Sequence, residues 1–352
     1  MKAILLAGGK GTRLRPLTLH TPKPVVPIFD RPFLQYQIDL LRRVPEIDEV
    51  VLSLNYQPRR IEEVLGDGAD LGIQLRYVVE PTPLGTGGAI KFAAGQATGE
   101  PLVVLNGDVF ADVDLAAVMA LHRERKARAT IVLTPVENPS AYGLVETDAD
   151  GNVLRFLEKP SPDQIVCNTI NAGIYVLEPD TLDRIPDDTV YSIERAYFPS
   201  LVANQETFVA YVYRGYWIDI GTPEKYRQVH RDMMDGRLAA PPFAAMAGQA
   251  LVSPQARIED GATIEAPCFI DAETVVKRGA RIGPYSVIGR NCHIGENAVV
   301  DGALLWPNTW VDSDARLGAT LAGRHCHFGR NVEVGPATLF GDKSVVTDFS
   351  RV

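Results

Sequence analysis

Apolar residues follow two rhythms along this 352-residue chain, and the change between them divides it. Over residues 1–110, short uninterrupted apolar runs alternate with stretches whose apolar positions fall three and four apart. Ala3-Ile4-Leu5-Leu6-Ala7, Val50-Val51-Leu52-Ser53-Leu54, Leu75 to Val79 and Leu102 to Leu105 read as buried strands. Leu34, Ile38, Leu41 and Val44, and then Ile61 to Leu65, read as helices. Strands buried on both faces and separated by helices predict βαβ units in a mostly parallel sheet. Ligands of such sheets bind beyond the carboxyl ends of the strands, where Gly8–Arg13 and Asn106-Gly107-Asp108 lie.

Residues 111–235 continue with a helix near Leu115–Arg125, a strand at Ala129–Leu133, and segments suited to a smaller mixed sheet at Gly143–Glu146, Val153–Glu158 and Gly173–Leu177. A strand at Phe208–Tyr213 precedes Tyr216-Trp217-Ile218-Asp219-Ile220-Gly221-Thr222-Pro223. Thr222 is a good N-cap and Pro223 a good first residue for a helix running to about Met234. Gly236 to Gln249, rich in Ala and Pro with only Arg237 charged, marks a boundary too apolar for a loose tether.

Beyond it the apolar period becomes six. Aliphatics fall at Val252, Ile258, Ile264, Ile270, Val276, Ile282, Ile288, Ile294 and Val300. Small residues, Ala262, Cys268, Thr274, Ala280, Ser286, Cys292 and Ala298, follow seven of these at a distance of four. No helix or ordinary strand has that period. It resembles the hexapeptide repeat of the left-handed parallel β-helix, whose aliphatics stack inside a triangular prism. The pattern loosens after Trp306. The expected segmentation is a first domain over 1–235, a linker over 236–250 and a β-helix over 251–352.

Composition narrows the function. A hydrophobic fraction of 46% with 22% charged residues describes an ordinary globular protein. There is no apolar run long enough to span a bilayer, and Met1-Lys2 leads straight into a strand rather than into a secretory signal, so a cytoplasmic protein is expected. Cys167, Cys268, Cys292 and Cys326 form no CxxC pair, which indicates neither a zinc site nor a disulfide frame. His325-Cys326-His327 is no better a metal cluster, because neighbours on an extended coil point to different faces. A net charge of −9 argues against nucleic acid as partner. Yet residues 1–31 carry Lys2, Lys10, Arg13, Arg15, Lys23 and Arg31 against Asp30 alone, which suits a small anionic ligand.

The first strand runs into Gly8-Gly9-Lys10-Gly11-Thr12-Arg13-Leu14-Arg15-Pro16, followed by Pro22-Lys23-Pro24. Glycines let backbone N–H groups approach an anion, and phosphate is the natural occupant. The turn is neither a dinucleotide fingerprint, since Leu14 stands where the last glycine is needed, nor a P-loop, since Gly-Lys-Ser/Thr is absent. Taken alone, Asp108 and Asp219 read equally well as turn and helix-start acids, Glu158-Lys159 as a solvated pair, and Asn171-Ala172-Gly173 as a turn.

Together these stretches closely resemble the signatures of the sugar-1-phosphate nucleotidyltransferases, over essentially the whole chain. The resemblance implies a Rossmann-like α/β catalytic domain that joins a nucleoside triphosphate to a sugar 1-phosphate and releases pyrophosphate. It places Arg13 and Lys23 as catalytic cations, and Asp108 and Asp219 as joint ligands of a catalytic Mg²⁺, a cation that takes few carboxylates. It implies nucleotide contacts from Leu6, Ala7, Gly8, Gly9, Gly11, Thr12, Glu80, Gly85, Thr86, Asn106 and Gly107. Gly143, Glu158, Lys159 and Asn171 are implied as the sugar-phosphate pocket.

Asn168 to Pro179, Asp183-Arg184-Ile185-Pro186 and Ser192-Ile193-Glu194 look most like the mannose-1-phosphate guanylyltransferases, which implies GTP and mannose 1-phosphate. One departure is Gly87-Gly88, where many mannose enzymes have alanine after Gly-Thr; such a pair is more usual in heptose-phosphate guanylyltransferases. Glucose 1-phosphate with UTP or dTTP stays open as well. The β-helix suggests homo-oligomer assembly, being short for an acyltransferase. A non-catalytic regulatory relative is the alternative of another class, against which the retained Arg13, Lys23, Asp108, Lys159 and Asp219 weigh.

Overall fold

A computed structural model describes residues 1–95 and 99–352. Its contacts divide into two compact units, one of residues 1–9 and 34–219, the other of residues 10–33 and 220–352.

The first unit is built on a nine-stranded mixed sheet. Its strands are β1 (Lys2–Leu6), β2 (Glu49–Leu54), β3 (Gln74–Val79), β4 (Leu102–Asn106), β6 (Ala129–Pro135), β7 (Gly143–Thr147), β8 (Val153–Glu158), β9 (Thr169–Leu177) and β10 (Phe208–Val212). The order is β8-β7-β9-β4-β1-β2-β3, with β6 on β9 and β10 on β6. The half formed by β4, β1, β2 and β3 is parallel, as the apolar runs of residues 1–110 predict. Ala3, Ile4, Val50, Val51, Val103 and Val104 are wholly buried, which is why those runs show no alternation. Helices α1 (Phe33–Arg42), α2 (Pro58–Leu65), α3 (Gly85–Ala94), α4 (Leu115–Glu124) and α5 (Phe198–Ala203) complete the chain path through this region.

Strands β6 to β9 do not form a separate smaller sheet. β9 runs antiparallel to β4 over Ile174–Leu177 and to β6 along both its ends, and so continues the parallel half. Its nine residues serve several partners because the register with β6 shifts between Asn171 and Tyr175. Gly173 sits at that irregularity with φ 76°, where an added Cβ would stand 2.8 Å from Asn106 Nδ2. Such a backbone favours glycine on both counts.

Two strands outside this sheet, β5 (Val109–Ala111) and β11 (Trp217–Asp219), pair antiparallel with each other. Three residues are too few for a readable period, and neither strand is predicted from the apolar pattern.

In the second unit, α6 (Pro223–Met234) starts as predicted, with the Thr222 hydroxyl accepting from Lys225 N. Phe29 packs on His230, Phe243 and Phe269, and Trp306 Nε1 donates to the Tyr226 hydroxyl at 3.0 Å. These aromatic contacts group residues 10–33 and α6 with the repeat region, a different grouping from the segmentation at 235 and 250. Within the 236–250 segment Leu238, Ala240 and Phe243 are buried, while Ala239, Ala244, Ala245 and Ala247 are exposed.

The repeat region forms three parallel sheets, two of six strands and one of five, in the left-handed β-helix that the six-residue period predicts. Ala250 pairs with Cys268 and Val275 with His293, giving coils of 18 residues. The pattern does not simply loosen after Trp306. His293 pairs with Trp310 and Trp310 with His327, coils of 17 residues. The inward series runs Val300, Leu305, Val311, Leu317, Ala322, Phe328 and Val334, all buried. One residue is missing before Leu305 and another before Ala322, so a strict six-residue count fails while the prism continues. Within His325-Cys326-His327, Cys326 is buried and His327 points outward to Asp312 at 3.0 Å.

His230 is buried, its Nδ1 donating to Tyr226 O at 2.8 Å and its Nε2 accepting from Phe29 N at 3.3 Å. Only the neutral ring satisfies both bonds, and burial pushes its pKa down to about 4. The unfolded chain takes up this proton near pH 6.5, so stability is full above that value and falls as pH drops toward 4. The expected loss is about 3 kcal/mol. It is read as a falling melting temperature between pH 6.5 and 4.5 that is shallower in His230→Leu; equal pH slopes in both proteins would refute it.

Candidate active site

The parallel pairing sets the site's first edge. Leu6 is in register with Ser53 on one side and with Asn106 on the other, so β1, β2 and β4 end level. Gly8 follows β1 and lies against Asn55 and Glu80, where an added Cβ would meet Asn55 N at 3.2 Å and Glu80 Oε1 at 3.3 Å. Glu80 is only 8% exposed. One of its oxygens accepts from the Ser53 hydroxyl at 3.1 Å and the other from Leu84 N at 3.0 Å. Its carboxylate thus ties the end of β2 to the turn that opens α3.

At that turn, Thr86 Oγ1 accepts from Ile193 N at 2.9 Å and donates to Glu194 Oε2 at 2.7 Å. Gly87 and Gly88 lie under residues 189–193, where added Cβ atoms would stand 3.0 Å from the Tyr191 ring and 2.7 Å from Thr189 O. The glycine pair therefore has a packing cause independent of which sugar is bound.

Asp108 follows Asn106 and Gly107 at the end of β4. Asp219 ends β11, and the β5–β11 ladder sets it opposite Val109. Two carboxylates 111 positions apart in sequence thus stand on neighbouring backbone positions, both half-buried. The Tyr142 hydroxyl donates to Asp219 Oδ2 at 2.9 Å, and Tyr142 packs edge-on against Trp217 at 5.5 Å. Trp217 Nε1 in turn donates to Ala172 O at 2.9 Å. Tyr142 was not singled out from sequence as a site residue, although it adjoins Gly143.

The sugar-phosphate candidates follow from β7, β8 and β9. Gly143 pairs with Glu158, and an added Cβ there would stand 3.1 Å from Glu158 Oε2. Burial, reinforced by the Glu194 carboxylate, holds the Glu158 carboxyl above its usual range. Lys159 has φ 53° and donates its backbone N–H to Tyr142 O at 2.9 Å, which turns the chain at the end of β8. Asn171 Oδ1 accepts from Gly173 N and its Nδ2 donates to the Tyr175 hydroxyl, each at 2.8 Å. Much of its side chain therefore holds the β9 irregularity. Glu194 was quoted from sequence only as part of a motif. The structure shows it as the acceptor for both Thr86 and Ser192, each at 2.7 Å.

In the second unit, Gly11 has φ 59° and an added Cβ would meet Lys23 Cβ at 2.9 Å. Thr12–Leu14 form one 3₁₀ turn, and Thr18 Oγ1 donates to Gly11 O at 2.7 Å. Lys23 is 7% exposed and Arg13 is exposed.

Asp108 and Asp219 fit a hard divalent cation. Both supply carboxylate oxygens, and the neighbouring Asn106 Oδ1 is a buried oxygen without a hydrogen-bond partner. Among the described residues no three His, Cys, Asp or Glu side chains form a metal cluster.

A sheet that aligns a glycine turn with paired acids defines a nucleotide-handling enzyme, and sequence comparison specifies which. The chain belongs to the nucleotidyl transferase family, whose profile matches residues 2–236, and residues 264–352 match the GMPPB C-terminal domain. It is 42% identical over 80% of its length to the mannose-1-phosphate guanylyltransferase of Mycobacterium tuberculosis, covering 76% of that protein. It is 34% identical to the UTP–glucose-1-phosphate uridylyltransferase of Synechocystis, over 90% of this chain and 86% of the other. Among solved structures it resembles HddC from Yersinia pseudotuberculosis complexed with GMP-PN, with TM-score 0.56 and 30% identity over 66% of this chain and 98% of that one. Enzymes of this family generally use a divalent metal. No helix among the described residues is long and apolar enough to cross a membrane.

Proposed function

We propose that this chain makes GDP-mannose and pyrophosphate from GTP and mannose 1-phosphate, with Mg²⁺ held by Asp108 and Asp219. The observation that carries the reaction type is the β5–β11 rung that brings Asp219 beside Asp108 at the end of a parallel strand. The choice of GTP and mannose is supported by the 42% identity to the mycobacterial guanylyltransferase, against 34% to the uridylyltransferase.

In this reading a phosphate oxygen of the sugar phosphate attacks the α-phosphorus of the nucleotide. A bond from that phosphorus to the new oxygen forms, the bond to the bridging oxygen breaks, and pyrophosphate leaves. The nucleophile is already anionic at neutral pH, since a phosphate monoester's second pKa lies near ~6, so no general base is needed. The barrier is mutual repulsion of two polyanions, and positioning with charge neutralisation lowers it. Bound Mg²⁺ supplies positive charge to the reacting phosphates. Arg13 neutralises the transferring group and departing pyrophosphate, Lys23 the α-phosphate region, and Lys159 the phosphate of the nucleophile. Glu158 and Asn171 bind sugar hydroxyls. The Tyr142 hydroxyl orients Asp219, and the glycines of residues 8–11 admit the phosphates. The catalytic segment is taken as residues 1–235 and the enzyme as cytoplasmic. A homo-oligomer contact is placed on the β-helix, where Trp310 and Val345 are 48% and 65% exposed.

The test is pyrophosphate release in Mg²⁺ for GTP, UTP, dTTP, ATP and CTP against mannose, glucose and heptose 1-phosphates. GTP with mannose 1-phosphate is expected to give the highest kcat/KM. Another preferred pair would retain the mechanism and move the specificity. Folded protein that binds a nucleotide sugar yet turns over no pair would point to a regulatory relative.

A further inference from the structure

We propose that Gln37 is a positioning residue for the cation-binding turn, a role that rests on the reading of Asp108 and Asp219 as metal ligands. Gln37 lies on α1 and is 4% exposed. Its Nε2 donates two hydrogen bonds, to Asn106 O and to Val109 O, both at 2.8 Å. These carbonyls flank Gly107 and Asp108, so one amide nitrogen clamps both ends of the turn that presents the first carboxylate. Val109 is also the residue that the ladder sets opposite Asp219. A single side-chain atom therefore fixes the backbone on which the two acids meet. The neighbouring Tyr36 ring packs on Phe110 at 5.0 Å, which holds α1 against the same strand, β5.

The amide's other end supports the assignment. Gln37 Oε1 is buried and has no hydrogen-bond partner. A buried unpaired oxygen is costly, commonly about 1–3 kcal/mol, so the side chain does not act here as a satisfied core polar group. Its donors are what the fold uses. Among neutral side chains only the amides of Gln and Asn donate two hydrogen bonds from one nitrogen. Glu, of equal size, has no donor when ionised and would set a carboxylate against two carbonyl oxygens.

Second-sphere hydrogen bonds that orient metal ligands typically contribute about 10–100-fold in affinity or activity. The test is Mn²⁺ binding to the full chain, alone and beside a non-hydrolysable GTP analogue, followed by the electron paramagnetic resonance signal of the free ion, with folding checked by circular dichroism. Gln37→Leu, Gln37→Met and Gln37→Glu are compared with wild type and with Asp108→Asn. The dissociation constant is expected to rise about tenfold or more in whichever Gln37 variants fold. The Mg²⁺ concentration giving half-maximal pyrophosphate release should rise in parallel, while KM for mannose 1-phosphate stays within about twofold. Folded Gln37 variants that bind Mn²⁺ as wild type does would overturn the proposal while leaving the metal reading intact. A wild type that binds no Mn²⁺ either alone or beside a non-hydrolysable GTP analogue, or Asp108→Asn binding it unchanged, would remove the metal reading itself and this proposal with it.

Discussion

Asp108→Asn and Arg13→Ala are each expected to lower turnover roughly 10²-fold or more, as loss of a preorganised electrostatic group commonly does. The asparagine keeps the size of Asp108 and its place at the end of the parallel strand but removes the negative charge. On the proposed reading a hard dication is then left with one carboxylate, Asp219. Arg13→Ala removes a cation from an exposed 3₁₀ turn whose backbone is set by Gly11 and Thr18, so the turn itself should persist. The measurement is steady-state pyrophosphate release with saturating nucleotide and sugar phosphate, beside a melting curve showing that each variant folds. For Asp108→Asn the loss should shrink as Mg²⁺ is raised, because weakened binding is partly restored by mass action. For Arg13→Ala added Mg²⁺ should not restore turnover. Rates within about threefold of wild type in both variants would sink the assignment.

The largest expected effect on stability is in the β-helix, where Phe328→Ala should cost about 3–5 kcal/mol. Phe328 is wholly buried in the stacked core and packs edge-on against Phe340 at 5.1 Å. The matching inward positions of the other coils on this face are Ile258, Val276, Ile294, Val311 and Val346, all smaller than Phe, so no neighbouring side chain can easily fill the space. Each coil contacts only the next, so the damage is expected to begin at the carboxyl-terminal coils rather than spread evenly. A fall of roughly 10 °C in the transition that reports the β-helix is the expected reading in calorimetry. Phe349→Ala provides the contrast: Phe349 is 74% exposed, and its loss should change stability by no more than about 0.5 kcal/mol. Equal shifts in the two variants would contradict this account of the core.

Gln37 shows how a site residue can be partly visible in sequence. Leu34, Ile38 and Leu41 mark the buried stripe of α1, and Gln37 stands on that stripe, three after Leu34 and four before Leu41. An amide in an apolar stripe is a signal, but the carbonyls it serves belong to a strand end about seventy residues later. Glu194 is the opposite case. In sequence it stands only within Ser192-Ile193-Glu194, and only the structure shows it accepting from Thr86 on α3 and from Ser192. The glycines at 87 and 88 hinted at sugar choice, whereas their close approach to Tyr191 and Thr189 explains them by packing.

The sequence by itself determined the parallel half of the sheet, the start of α6 and the β-helix. Each rests on a local period or cap repeated along the chain, and burial enforces such patterns wherever they occur. The candidate site residues are legible in sequence through family signatures, in which glycine turns and strand-end acids stand at fixed places. Only the tertiary structure decided that β6 to β9 join the main sheet, that two coils of the prism are one residue short, and that Asp219 lies opposite Val109. Those outcomes depend on pairings between distant segments, through strands of two to nine residues that match more than one partner equally well until the rest of the chain has packed.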